Sequence, residues 1–332
     1  MPRWLKRPAG SNWGQFGDDD QIGRMNLVTP ERRRRAIAEA REGKAFLLGL
    51  PLDYPKAPLL PVRHPPRLEA TESWEGGPMY DRLFAAGAID VANDDRVTMD
   101  LQYSSQWDGL SHYGVCFDAD DDGVAEHVFY NGYRSDADFV QPGDGVAPRA
   151  LALGIEKLAE TCVQGRGVLA DVRNAGPAPH GRIGYDALMT MLDAQDARVE
   201  EGDFLCVYTG YADLLLRDGA EVDRAALAAC PGLDGSDKRL LDWIERSGLV
   251  AICADNPMVE KIEGIERCAG SVLLPLHEHC LVKLGIHLGE LWWFGGIAPW
   301  LAEHGRAHFL LTAPPLNLPG AVGSPATPVG TV

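Results

Sequence analysis

Apolar residues recur along this chain in two rhythms. Short β-branched or apolar runs read as strands: RGVLADV from Arg166, DFLCVYTG from Asp203, LVAICAD from Leu249 and RAHFLLTA from Arg306. Two of them are spaced by helical segments, which implies crossovers and partly parallel pairing. Two further β-like stretches, Arg96 to Tyr103 and Val124 to Tyr133, have no helix between them. Helix signals come as complete sets. Thr29 and Pro30 open one helix, with Glu31 in its first turn and Gly43 closing it; Ser236 and Gly248 bracket DKRLLDWIERS in the same way. Arginines 32 to 35 fall in the first helix. Because four consecutive residues point all around a helix, they predict a solvated face rather than an anion site. The pattern predicts an α/β fold whose core is a mixed sheet or small β-barrel flanked by helices. No GxGxxG follows any strand, which argues against a plain dinucleotide fold.

Between Leu50 and Pro66 the run LPLDYPKAPLLPVRHPP reads as an extended surface arm, because apolar residues continue through its prolines. No repeat and no clean boundary is visible. The expectation is one domain over residues 1–332 with an N-terminal arm of about residues 1–66.

With 332 residues and 45% apolar composition the chain can bury a large core. Its formal net charge of −17 opposes nucleic acid or an acidic membrane surface as partner. The N-terminus MPRWLKRPAGSNWG lacks the apolar core of a signal peptide, and no segment approaches the roughly 20 apolar residues of a membrane span. A cytoplasmic location is therefore expected. Seven cysteines with no CxxC argue against a disulfide framework or zinc knuckle, and most are expected to be small buried hydrophobes.

The candidate chemistry lies in LQYSSQWDGLSHYG, from Leu101 to Gly114. Gln102, Gln106, Asp108 and His112 all have electron pairs to give, and such a cluster is costly to bury unless something accepts them. A metal ion is the candidate acceptor. Gln106 and Asp108 share one face of an extended segment, whereas Gln102 joins them only if the backbone turns or bulges near Tyr103 to Ser105, since four strand residues span roughly 13 Å. DADDDG, Asp118 to Gly123, opens like a calcium loop but has Phe129 where a bidentate Glu is needed, so it reads as a solvated acidic turn.

QYSSQWDGLSH resembles the signature HxGTHxDxPxH of the cyclase-like metal-dependent hydrolases, the family of bacterial kynurenine formamidase and isatin hydrolase. Gln102 and Gln106 stand at the first two histidines of that signature, Asp108 at its aspartate and His112 at its last histidine. The glutamine version is similar to the trans-dienelactone hydrolase branch. VEEGDFLCVYTGY resembles the family's Gly-Asp, strand, Thr-Gly segment, LVAICADNPMVE its strand ending in an aspartate, and PLHEHCLVKLGIHLGELWW its late histidine-to-glutamate segment. The tail APPLNLPGAVGSPATPV resembles the C-terminal strand and loop. The resemblance implies a swivelling β/β/α, cyclase-like fold. It implies His277 and Glu290 as further ligands, with His279 having less claim. His287 could pair with Glu290 at i,i+3 but reads as an ordinary packed residue.

The implied site holds one divalent ion through Gln102, Gln106, Asp108, His277 and Glu290, with His112 as general acid and base. Amide and carboxylate oxygens are hard donors, which favours Mn²⁺ with Zn²⁺ second. Water activated at the ion would open a lactone, cyclic amide or similar acyl bond. A serine hydrolase is disfavoured, because no GxSxG elbow is present. Tyr103, Trp107, Tyr113, Trp13 and Phe16 are expected to line an apolar substrate pocket, with Trp292 and Trp293 as further aromatic candidates. A formamidase of the kynurenine type, and a metal-free small-molecule-binding protein on the same scaffold, remain open. The expected partner is a small-molecule substrate, and the family likeness suggests a homodimer or homotetramer.

Overall fold

A computed structural model describes residues 3–175, 179–265 and 270–332. Its apolar runs meet in a nine-stranded sheet that curls into a half-barrel. In chain order the strands are β1 Ala45–Leu47, β2 Gln106–Asp108, β3 Gln164–Asp171, β4 Phe204–Tyr208, β5 Ala251–Ala254, β6 His287–Glu290, β7 His308–Thr312, β8 Gly323–Pro325 and β9 Val329–Thr331. Their spatial order is β1-β9-β7-β3-β4-β5-β6-β2-β8. The four central strands β3, β4, β5 and β6 run parallel. Antiparallel strands complete both sides, β7, β9 and β1 beyond β3 and β2 and β8 beyond β6. The sheet is mixed, as the pattern predicts.

Both faces of the sheet are covered, which explains why the central strands read as continuous apolar runs rather than as alternation. Val168, Ala170, Leu205, Val207, Ile252, Ala254 and Leu288 face one core, shared with Leu188 and Leu192 of the helix Tyr185–Ala194 and Leu240 and Ile244 of the helix Lys238–Ser247. Leu169, Phe204, Cys206, Ala251 and Cys253 face the other, shared with Trp107, Trp292 and Phe309.

Several local expectations need correction. The first helix spans Pro30–Ile37 and stops well before Gly43, although Thr29 caps it as expected by accepting from the Arg32 amide. Of its arginines, Arg34 and Arg35 are exposed as expected, whereas Arg32 and Arg33 are half-buried. Arg33 donates to the Thr161 and Gln164 carbonyls, Arg35 pairs with Glu200 at 2.7 Å, and Arg32 pairs with Glu201. These contacts tie the helix to neighbouring loops. The helix Lys238–Ser247 is capped by Asp237, one residue after Ser236, because the Asp237 carboxylate reaches the amides of Arg239 and Leu240. Of the six cysteines described, Cys206, Cys253 and Cys280 are buried, Cys116 and Cys162 exposed and Cys230 half-buried, so burial holds for only half of them. Cys268 lies outside the described residues.

The stretch expected around Arg96 forms a strand Asp95–Thr98 outside the main sheet, paired with Arg67–Ala70 in a ribbon that exposes Trp74, Phe84 and Ile89. The proline-rich run lies over the segment that follows this ribbon. Tyr103 donates its hydroxyl to the Pro55 carbonyl, Ser104 to that of Pro51 at 3.2 Å, and Arg63 to that of Gln102 at 2.8 Å. Among the described residues no helix is long and apolar enough to cross a membrane.

Candidate metal centre

The centre forms where β2 is held between β6 and β8. Register places Gln106 opposite Glu290 and Asp108 opposite Leu288 on one side, and Pro325 and Gly323 opposite them on the other. Strand alternation sends Gln106 and Asp108 to one face and Trp107 to the other. Glu290 shares that first face. His277 completes the group from across it, in the short helical turn Pro275–His277 that runs on into a wide π-type turn, Glu278–Leu284. Such turns often accompany functional sites.

Ligating atoms of Asp108, His277 and Glu290 all lie within 4.8 Å of one another, and all three residues are buried. His277 Nε2 is 3.4 Å from Glu290 Oε1 and 4.0 Å from Asp108 Oδ2. The other ring nitrogen is committed. Nδ1 lies 2.7 Å from Glu260 Oε1, and the same carboxylate accepts from the backbone amides of Leu276 at 3.1 Å and His277 at 3.0 Å. With both amides donating, Glu260 receives the Nδ1 proton and Nε2 is turned toward the centre, the arrangement by which outer carboxylates orient ligating histidines.

At the centre, Asp108 Oδ2 and Gln106 Oε1 are buried and have no hydrogen-bond partner among the described residues. Orphaned acceptors of this kind are expected where a cation belongs. The Gln106 amide nitrogen donates to Asp108 Oδ1 at 2.9 Å and Glu290 Oε2 at 3.0 Å. Burial and the nearby Asp108 charge push the Glu290 carboxyl up to about 8. Burial opposes a charged His277, but hydrogen bonds to Glu260 and Glu290 and their charges outweigh it and raise the imidazole to about 10. The cluster thus holds protons where a metal would otherwise balance its carboxylates. Two carboxylates and one oriented imidazole, with Asp108 Oδ2 unpartnered, fit a divalent cation.

Gln102 lies in a turn from Leu101 to Ser105, where the Tyr103 amide bonds to the Asp100 carbonyl. This is the bend required to bring it near Gln106. Its amide nitrogen lies against Gly323, where an added Cβ would come within 2.6 Å of it, so the glycine opposite Asp108 makes room for the side chain. His112 is partly exposed, with Nε2 3.7 Å from Asp108 Oδ1. That is too long for a hydrogen bond but places the imidazole on the open side of the carboxylate.

The aromatic expectations divide. Tyr113 meets the His277 ring at a tilt of 58°, centroids 5.6 Å apart, and Tyr103 lines a cavity of about 200 Å³ together with Gln102 and Leu291. Trp107, Trp13 and Phe16 do not line that cavity. Trp107 faces the opposite core, where its indole N–H donates to the Ala313 carbonyl at 2.8 Å and its ring meets Trp292 edge-on at 5.0 Å. Trp13 is buried with its indole donating to the Val282 carbonyl at 2.7 Å, so it anchors the N-terminal segment to the Glu278–Leu284 turn. Phe16 is half-buried in that segment. Trp292 is core, and Trp293 donates to Asp213 at 2.8 Å. His279 points away from the centre and bonds the Leu241 carbonyl at 3.0 Å, and burial lowers its imidazole to about 4. His287 is packed in the interior.

Glu260 is the residue that sequence reading passes over. Nothing in NPMVE marks it, because its partners are the amides and ring of residues 276 and 277. Left-handed backbone at the buried Val259, φ 56°, precedes it, and Leu291, φ 53°, follows Glu290. A β-branched residue in that region is a real outlier, and strain beside both acids is consistent with a site fixed by its surroundings. Ser105 joins these parts: it donates to the Leu291 carbonyl and accepts from the Leu50 amide at 2.8 Å. Two acids of the family-like segments hold the frame instead of the ion. Asp255 accepts from Thr209 and Gly210, and Asp203 from Arg166 at 2.9 and 2.6 Å. In a second carboxylate group, Asp118, Asp120, Asp122 and Glu126, Lys6 pairs with Asp118 and Arg134 with Asp120 and Glu126, which offsets part of the charge.

No curated protein matches the chain. A solved structure described as a novel cyclase is 33% identical over 97% of both chains, with a TM-score of 0.76. Isatin hydrolase A from Labrenzia aggregata, bound to benzyl benzoate, is 15% identical over 90% of this chain and 98% of its own, with a TM-score of 0.57. An isatin hydrolase bound to the product analogue thioisatinate is 13% identical over 92% and 99%, with a TM-score of 0.55. The last two are similar in fold. The sequence pattern of the Cyclase family matches residues 46–261. With that match spanning well over half of the residues, and the 33% identical cyclase extending the likeness to nearly all of them, this chain belongs to the Cyclase family.

Proposed function

We propose that the protein is a metal-dependent hydrolase that opens a lactone or cyclic amide, allied to the trans-dienelactone hydrolase branch. The observation that carries this reading is the convergence of Asp108, His277 and Glu290 on one buried point, with Asp108 Oδ2 unpartnered and Glu260 fixing the His277 ring. The isatin hydrolases that share the fold are hydrolases by name and add support.

Asp108, His277 and Glu290 would hold the ion, with Gln106 and Gln102 offering amide oxygens. A divalent cation there would supply Lewis acidity toward a carbonyl oxygen and an attacking water. Oxygen-rich donors favour Mn²⁺ over Zn²⁺. His112, on the open side of Asp108, takes the proton of the attacking water. The water oxygen bonds to the carbonyl carbon, the ring C–O or C–N bond breaks, and His112 returns the proton to the leaving atom. Tyr113 limits movement of the His277 ring. The exposed apolar ribbon around Trp74, Phe84 and Ile89 supports a homodimer or homotetramer, which light scattering tests.

The test is metal analysis of protein purified without added ions, followed by a panel of lactones, imides and formamides with Mn²⁺ present. A stoichiometric ion, activity lost to chelator and restored by Mn²⁺, is the expected result. Turnover of formamides alone would instead identify a formamidase. One observation favours a second reading, a metal-free binding protein: the Gln106 amide nitrogen already bridges both carboxylates at 2.9 and 3.0 Å. Protein that retains no ion after Mn²⁺ loading and turns over nothing on the panel would favour it.

A further inference from the structure

The cavity beside the centre carries charge that ring opening by itself does not require. Its volume is about 200 Å³, small enough for a compact substrate, and Leu59, Leu60, Met258 and Leu291 give it apolar walls. Arg63 and Arg224 line it as well, and no carboxylate does. In a chain of net charge −17 that is unusual. Most arginines here pair with an acid within 4 Å, but among the described residues neither Arg63 nor Arg224 does, although the charge of Arg63 is felt by Glu290. Arg63 donates to the Gln102 carbonyl at 2.8 Å and Arg224 to the Pro58 carbonyl at 2.8 Å, so both are held in place by neutral oxygens. A guanidinium has five N–H donors, and these single bonds leave most of them free.

Two such forks against apolar walls match a planar anion, which they can grip bidentately. Gln102 and Leu291 line the cavity on the side of the centre, since Leu291 directly follows Glu290 and the Gln102 amide lies against Gly323, the glycine opposite Asp108. We propose that Arg63 and Arg224 form a carboxylate subsite, so that the substrate is a small cyclic ester or amide carrying a carboxylate away from its scissile carbonyl. The substrate assignment rests on the hydrolase reading; the subsite itself does not. The carboxylate faces the arginines while the scissile carbonyl faces Asp108 and His277. Neutral rings of the same shape are then poorer ligands.

Binding of phenylacetate and of its neutral counterpart phenylacetamide to the full chain, measured by calorimetry after chelator treatment, tests the subsite without turnover. The acid is expected to bind about tenfold or more tighter than the amide, the scale of a hydrogen-bonded charge. Arg224→Gln should erase that preference and Arg224→Lys restore part of it, with thermal melts confirming that both variants fold. Equal binding of acid and amide overturns the proposal, as does a preference that survives Arg224→Gln. If the preference depends on Arg224 but no lactone or imide is hydrolysed, the subsite stands and the hydrolase reading falls. Hydrolysis without any preference gives the reverse.

Discussion

Replacing Glu260 by Gln keeps the shape of the residue behind His277 and removes its charge. The carboxylate accepts from the amides of Leu276 at 3.1 Å and His277 at 3.0 Å and from His277 Nδ1 at 2.7 Å. A glutamine offers one acceptor oxygen and one NH₂, so in either orientation the NH₂ meets an N–H donor. At least one bond is lost and the others lose their charge assistance. At about 1.5–3 kcal/mol for a hydrogen bond to a charged group, the expected loss of stability is about 2–4 kcal/mol. An unfolding entropy of about 2.1 cal/mol/K per residue, taken over 332 residues, converts this to a Tm lowered by about 3–6 °C. Without an anion to hold the Nδ1 proton, Nε2 is no longer fixed as the free donor, and metal affinity should fall about 10–100-fold. Calorimetric titration of Mn²⁺ into chelator-treated protein, with melts on the same samples, reads both quantities. A Kd within about twofold of the unaltered protein would refute the role given to Glu260.

Asp108→Asn should abolish turnover, yet leave the metal-free protein as stable or more stable, because it removes the charge that crowds Glu290 and leaves an oxygen for the Gln106 amide; kcat and melts in chelator check the two halves. Glu290 is raised from 4.5 to about 8 and His277 from 6.5 to about 10, so the folded metal-free chain binds more protons than the unfolded one across those intervals. Its stability should therefore fall as pH rises from about 5 toward 8 for Glu290, while the His277 contribution is full below 6.5 and lost as pH approaches 10. Saturating Mn²⁺ replaces those protons and should flatten the profile; a flat or rising profile in chelator would contradict the assignment. Gly323→Ala places a Cβ 2.6 Å from the Gln102 amide nitrogen and 2.9 Å from the Trp107 carbonyl, and should cost about 1–3 kcal/mol and displace Gln102, read as a lower kcat with a lower Tm. Trp107→Phe should cost about 1–3 kcal/mol through the lost bond to the Ala313 carbonyl, and a KM that moves while Tm does not would return Trp107 to the pocket.

The central strands are legible in the chain, because a strand buried on both faces is apolar throughout, and RGVLADV, DFLCVYTG and LVAICAD say so locally. Equally legible is that Gln106 and Asp108 share a face, since strand alternation is a property of the backbone. The same rule turns Trp107 away, a consequence available from its position between them. The rest depends on long-range packing. Glu290 meets Gln106 through the register of two strands far apart in the chain, Glu260 meets His277 across a turn that no spacing announces, and the arginines of the first helix find acids on another loop. Local pattern reports which face of an element is buried. It carries no information on which distant side chain waits on that face, because the pairing is fixed by packing of the whole sheet and by the few geometries in which every buried charge finds a partner.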